Sequence, residues 1–302
     1  FIFSSLNSDQ LYKYSIILFF ISLISLFLVP FIGVEVKGSK RWIDLFFLPR
    51  FQPIEVLKPF LIIILATILC DIKSNILFKY LISIFLISFI SLLLIAQPDI
   101  GQTLLVIFCW AVLIFTSGIN IYILLAIFIA GASLLTYLII YVPRFDYIQG
   151  RIFSFFNRET GTHNFQSDKA IESITSGGFF GKGIGEGVLK NRVPEAHTDY
   201  IISVISEEFG VVAIMLILLL FLILIYMVFK KISFETNDKA KLILIGSISL
   251  ILMQATIHIG VNIRLFPTTG MTLPFLSYGG SSIISTSILA GIILNLTKRK
   301  IT

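Results

Sequence analysis

Long apolar runs separated by polar breaks make up most of this chain, at residues 14–32, 57–70, 76–96, 103–117, 119–142, 200–229, 242–261 and 273–296. A helix that crosses the hydrocarbon core needs about 20 predominantly apolar residues, and only a helix or a closed barrel satisfies its own backbone there. The pattern therefore predicts an all-α polytopic membrane protein with eight transmembrane helices. Pro53 and Pro59 stand at the start of the second run, where a missing N–H matters least. Residues 1–13, which contain Ser4, Ser5, Asn7, Ser8, Asp9 and Lys13, read as a short loop. Two breaks are longer than the rest: residues 33–53, and a large polar insert at residues 143–199 that closes on Asp199 just before the sixth run.

Composition sharpens this. The chain is 57% hydrophobic and 13% charged, with a mean hydropathy of +0.98, whereas soluble domains carry about 25% charged residues. Its net charge of +6 reads as a topology signal and anionic lipid contact, since no basic, aromatic-interleaved surface is available for nucleic acid. Cys70 and Cys109 fall at or within apolar runs and read as small buried hydrophobes, not a disulfide framework. The chain begins at Phe1 without a leader pattern, so it reads as N-terminally incomplete.

Basic residues beside the spans set the orientation. Lys298, Arg299 and Lys300 mark the C-terminus as cytoplasmic, and Lys230, Lys231, Lys239 and Lys241 fall on the same side by parity. Residues 143–199 then lie outside, their seven basic and seven acidic residues cancelling. Residues 33–53 also fall outside, yet carry Lys37, Lys40, Arg41 and Arg50 against only Glu35 and Asp44. A basic outer loop breaks the rule. Its cations either bind an anion or are solvated beside headgroups.

Four polar clusters interrupt the apolar pattern, and such residues by default face a bundle interior or a cavity. Glu55 and Lys58 sit at i and i+3 on one helical face and can pair. Asp99, in Ala96-Gln97-Pro98-Asp99-Ile100-Gly101-Gln102, is a helix cap or a functional carboxylate. In the insert, Gly181-Lys182-Gly183-Ile184-Gly185-Glu186-Gly187 lacks the preceding strand and the Gly-Lys-Ser/Thr ending of a nucleotide cradle, so a close-packed turn is predicted. Asp199 is placed to cap the sixth span or, partly desolvated, to act as a general base, with Glu207 and Glu208 two turns deeper. His197 and Asp199 at i and i+2 argue against a dedicated zinc site, but leave room for a divalent cation such as magnesium shared with a diphosphate. The fourth cluster, residues 262–282, places two prolines, three glycines and several hydroxyls at the mouth of the last span.

These strings carry a resemblance. Lys37-Gly38-Ser39-Lys40-Arg41-Trp42-Ile43, Gln52-Pro53-Ile54-Glu55-Val56-Leu57-Lys58-Pro59, the Ala96–Gln102 string, Pro194-Glu195-Ala196-His197-Thr198-Asp199, Glu207-Glu208-Phe209-Gly210 and the run from Leu273 to Ser282 occur in order over nearly the whole chain. Together they resemble the SEDS family (shape, elongation, division, sporulation), and its cell-division branch more than its elongation branch. The resemblance implies a ten-helix fold, of which the eight spans would be the third to tenth, in one domain covering residues 1–302. It also implies a peptidoglycan glycosyltransferase of the bacterial inner membrane, at the septum, that polymerises lipid II onto a nascent glycan strand. Its expected partners are a class B penicillin-binding transpeptidase and other divisome proteins, in a lipid bilayer, with no nucleic acid and no soluble cofactor. Asp199 matches the family's catalytic aspartate, and Lys40 and Arg41 its basic pair. Gln52, Glu55 and Lys58 match its bracing motif, while Asp99, Glu195, His197, Ser277 and Ser281 carry over as cavity-lining positions. Ile54 departs from the small residue common there. A lipid II flippase and a non-catalytic division scaffold are the rival readings.

Overall fold

A computed structural model of the chain describes residues 1–36, 39–45, 48–71, 75–156 and 162–298. Lys37 and Gly38 of the basic string, the interhelical residues 72–74, and Arg299 and Lys300 of the C-terminal marker lie outside the described residues. In chain order the helices are α1 (Ile2–Ser5), α2 (Ser8–Ile32), α3 (Pro53–Leu69), α4 (Ile76–Ala96), α5 (Ile100–Thr116), α6 (Ile121–Tyr141), α7 (Asp146–Phe156), α8 (Thr162–Gly177), α9 (Ile201–Phe234), α10 (Asp238–Asn262) and α11 (Gly280–Thr297). Three short strands, β1 (Val34–Val36), β2 (Ser39–Leu45) and β3 (Leu48–Phe51), lie between α2 and α3. Each of the eight predicted runs overlaps a helix. Six of these helices are long and apolar enough to cross a membrane: α2, α4, α6, α9, α10 and α11. The other two, α3 and α5, have 17 residues each.

Short polar side chains start these helices. The Asn75, Asn120 and Asn237 carboxamides accept from the amides of Leu77 (3.3 Å), Tyr122 (2.9 Å) and Lys239 (3.0 Å). Each cap is worth about 1 kcal/mol. The last helix starts at Gly280 rather than 273: Phe275 holds a φ of 68° and the segment ahead of Gly280 is a turn. Within residues 33–53, predicted as a loop, the strands β1, β2 and β3 instead form an antiparallel sheet of that order, with Glu35 opposite Lys40 and Ile43 opposite Phe51.

The chain groups into two compact units. One holds residues 1–118, 223–253 and 279–302, and is built around α3. This helix packs against α2, α4, α5 and α11 and buries most of its length, from Pro53 and Ile54 to Leu69. Gly246 of α10 belongs to the same core, where a Cβ would lie 2.7 Å from the Ile62 side chain. Cys109 is buried there with its thiol toward the Gly246 carbonyl, and both cysteines are free.

The second unit holds residues 119–222 and 254–278. Its polar insert carries α7 and α8, followed by the glycine-rich turn. That turn joins α9 in an unusual way. The helix is broken at Gly210, whose φ of 76° and ψ of −175° are not helical. In an unbroken helix the carbonyls of Glu207 and Glu208 would accept from the amides four residues on. Here they accept from Lys182 (2.8 Å) and Gly183 (3.0 Å), while the amides of Val211 and Val212 donate to the carbonyls of Gly178 (3.0 Å) and Phe179 (3.3 Å). The glycine turn is spliced into the break and takes up the backbone groups it frees. Only glycine permits this approach, since a Cβ on Gly181 would lie 2.1 Å from the Glu208 carbonyl oxygen, and one on Gly210 2.2 Å from that of Phe179.

Below the break α9 is exposed and apolar. Val211, Val212, Met215, Leu216, Leu219, Leu220 and Leu222 all stand out from the protein. Each such side chain left in water forgoes about 1.5–3 kcal/mol. Summed along α9, that rivals the whole net stability of a folded domain, roughly 5–15 kcal/mol. This surface belongs in lipid, and the chain is a multi-pass membrane protein.

Candidate functional site

The site residues foreseen in the sequence fall into two clusters, one in each unit. In the first unit, Asp99 sits in the break between α4 and α5 and caps α5, accepting at Oδ1 from the Gln102 amide at 3.4 Å. Its Oδ2 accepts from the Gln52 carboxamide at 2.9 Å, and Arg41 Nη1 lies 3.8 Å from Oδ1. Arg41 also donates to the carbonyls of Gln97 (3.2 Å) and Pro98, so it closes the C-terminal end of α4. Burial pushes the Asp99 carboxyl above the usual range, against the opposing pull of Arg41 and the Gln102 amide. Ser281, in the first turn of α11, accepts from the Gln52 amide at 2.9 Å.

One layer deeper, the expected pair on α3 is formed. Lys58 Nζ is 2.9 Å from Glu55 Oε2, with both side chains buried. Gln102 completes a ring: its carboxamide accepts from Lys58 at 3.1 Å and donates to Glu55 at 2.6 Å. The two layers share Gln102, whose amide reaches Asp99 while its side chain serves Glu55 and Lys58. The basic pair divides between these surroundings. Adjacent positions on β2 point to opposite faces, so Arg41 turns inward to Asp99 while Lys40 is exposed.

In the second unit, residues 195–200 form a tight turn immediately before α9. Glu195 has a φ of 56°, and its carbonyl accepts from the amides of Thr198 (3.1 Å), Asp199 (3.1 Å) and Tyr200 (3.3 Å). The next carbonyls are pinned in succession by residues 262–278. The Tyr278 amide donates to the His197 carbonyl at 2.9 Å. Ser277 Oγ donates to that of Thr198 at 2.6 Å, and the Asn262 carboxamide to that of Asp199 at 3.1 Å. Asp199 is therefore fixed through its backbone, while its carboxylate is partly exposed and faces Gly270, where a Cβ would lie 3.4 Å from Oδ2. A cavity of about 540 Å³ adjoins the turn, lined by Lys190, Asn191, Glu195, His197, Thr198 and Tyr278.

The sequence reading did not single out Gln102, Asn262 or Gly270, although each lies in or beside a string it quoted. The face of α10 did carry a signal. Gln254, His258 and Asn262 recur every fourth residue, and each holds the facing segment: Gln254 the Thr272 carbonyl (3.0 Å), His258 Nδ1 the Met271 carbonyl (2.7 Å), and Asn262 that of Asp199. Glu207, which the sequence places two turns deeper than Asp199, is fully buried and bound. It accepts from the amides of Leu189 (2.9 Å) and Lys190 (2.6 Å), from Ser173 Oγ (3.0 Å) and from Lys182 Nζ (3.4 Å). Its role is to hold the insert together. Among the described residues, no three His, Cys, Asp or Glu side chains are grouped to hold a metal ion.

Ser277 offers a direct measure of how the turn is held. Its hydroxyl accepts from the Leu273 amide at 2.7 Å while donating to Thr198. Ser277→Ala removes both bonds at about 1 kcal/mol each. Hydrogen exchange at the Leu273 amide is expected to quicken by roughly fivefold, with the helices unaffected.

Known proteins resemble the chain over most of its length. The profile of a family described as cell cycle protein, comprising FtsW, RodA and SpoVE, matches residues 1–301. A probable peptidoglycan glycosyltransferase FtsW from Caulobacter vibrioides is 34% identical over 279 residues, which cover 90% of this chain and 69% of that protein. One from Francisella salina is 36% identical over 293 residues, covering 92% and 71%. Among solved structures, a chain from a study of polymerization and crosslinking by a peptidoglycan synthase complex superposes with a TM-score of 0.81. It is 28% identical, and the match covers 98% of this chain and 84% of that one. The rod-shape-determining protein RodA of Thermus thermophilus superposes at 0.69 with 29% identity, covering 98% and 81%.

Proposed function

The chain belongs to the FtsW/RodA/SpoVE family of cell cycle proteins, and from that premise we propose that it is a peptidoglycan glycosyltransferase that polymerises lipid II, with Asp199 as general base. In this reading Asp199 takes the proton of a GlcNAc 4-hydroxyl as that oxygen bonds to C1 of the MurNAc at the end of the growing strand. The C1–phosphate bond breaks, and the electron pair leaves with undecaprenyl diphosphate. Charge developing on the leaving group calls for a fixed cation. Lys40, exposed on β2, is assigned that part. Arg41, Gln52, Glu55, Lys58, Asp99 and Ser281 are assigned to the frame behind it, and Glu195, His197 and Ser277 to the surroundings of the base.

The observation that carries the reading is the backbone of residues 197–199. Three successive carbonyls held by three separate donors fix the backbone from which the Asp199 carboxylate projects, and a general base needs a fixed position. All eight apolar helices are taken to cross the bilayer, with Asp199 on the outer side at the septum and a class B penicillin-binding transpeptidase as partner. A flippase would rest on Asp99 and Glu55 as a charged path, yet both are occupied by protein partners.

The test is polymerisation by the full-length protein, in liposomes with its transpeptidase, from lipid II alone. Glycan strands resolved on a gel are expected. Transfer of lipid II between leaflets without strand formation would favour the flippase, and neither activity would favour a scaffold.

A further inference from the structure

The glycine-rich turn carries side chains that a polar extramembrane segment has no reason to expose. Phe179 and Phe180 are 75% and 84% accessible, and Ile184 stands out as fully beside them. All three lie in the segment spliced into α9, so their height along that helix is set by the four backbone bonds that link residues 178–183 to Glu207, Glu208, Val211 and Val212.

That height coincides with the start of the lipid-facing surface of α9. Residues 211–234 rise roughly 36 Å at 1.5 Å per residue, enough to cross a hydrocarbon core about 30 Å thick with Val211 at its edge. Val211 and Val212, the residues that bond to the turn, are themselves exposed. The apolar surface of the turn is therefore continuous with a surface already committed to lipid. Broken backbone at that depth is tolerated only where its polar groups are satisfied by protein, and the splice provides this.

We infer that residues 177–184 form an interfacial membrane anchor, with Phe179, Phe180 and Ile184 inserted into the edge of the bilayer hydrocarbon beside α9. The occupant of this surface is lipid. Burying two phenylalanines and an isoleucine in it removes the exposure that water would penalise. The anchor also sets the depth of residues 182–192, including Lys190 and Asn191 of the cavity wall. It holds whichever reaction that cavity serves.

Site-directed spin labelling of the full-length protein in liposomes tests this. Nitroxides are placed singly at Phe180→Cys and, as an independent second position, Phe179→Cys, in a Cys70→Ser/Cys109→Ala background. Leu219→Cys on α9 serves as the lipid standard and Glu186→Cys as the aqueous one, and relaxation by oxygen is compared with relaxation by a water-soluble nickel chelate. Labels at 179 and 180 are expected to match the lipid standard, with the oxygen effect several-fold above the nickel effect. Nickel accessibility equal to that at 186 would overturn the anchor. Shielding from both reagents would overturn it too, by assigning the surface to a protein neighbour.

Discussion

Asp199→Asn is expected to yield a protein that inserts, folds and binds lipid II like the wild type, but forms glycan strands about 10²–10⁴-fold more slowly, the range of a lost general base. Asparagine is the informative replacement because it caps a helix as well as aspartate does. Were Asp199 only the cap of α9, the amide would serve and the rate would hold. The backbone bonds to the carbonyls of His197, Thr198 and Asp199 do not depend on the side chain, so the turn should survive the substitution. Initial rates of strand formation at saturating lipid II, alongside lipid II binding, separate the two roles. A rate within a few-fold of wild type would remove Asp199 from the chemistry.

Lys58→Met is expected to have the largest effect on stability. It strips the counter-charge from Glu55, a buried carboxylate then left with Gln102. Breaking such a pair from one side costs about 3–5 kcal/mol, whereas replacing both partners by apolar groups of similar volume is often neutral or stabilising. At about 2–4 °C per kcal/mol for a chain of this order, the single variant should melt roughly 10 °C lower in detergent. Lys58→Met/Glu55→Leu should recover much of that loss. A Lys58→Met protein with unchanged melting but lost lipid II binding would instead make Lys58 a substrate contact.

Local features were the legible ones. Apolar runs located α2 to α6 and α9 to α11 because hydropathy is written in consecutive residues, and the Glu55–Lys58 pair followed from i, i+3 spacing alone. The close-packed glycine turn was foreseen from its composition. Gln102, which joins Glu55 and Lys58 to Asp99, was not, because its partners lie on another helix and nothing in its own neighbourhood announces them. The sheet at residues 34–51 escaped for a different reason: its longest strand has seven residues, too few for alternation to stand out. That omission hid the divergence of Lys40 and Arg41, which read as a pair in sequence and face opposite ways on β2. Glu207 shows the same limit from the other side. Its sequence position showed only its depth in an apolar run, and the fold brings Ser173, Lys182, Leu189 and Lys190 around it.

The splice at Gly210 also fixes an order of assembly. Residues 211–234 satisfy most of their own hydrogen bonds and can enter the bilayer as they leave the translocation machinery. The junction around Gly210 cannot close until a segment made earlier folds back, the carbonyls of Gly178 and Phe179 accepting from Val211 and Val212 and the amides of Lys182 and Gly183 donating to Glu207 and Glu208. The splice can thus close only after residues 207–212 have been made. Lesions in the glycine turn will accordingly show themselves in biogenesis, as protein degraded before it matures, more than in the turnover of molecules that reach the membrane intact.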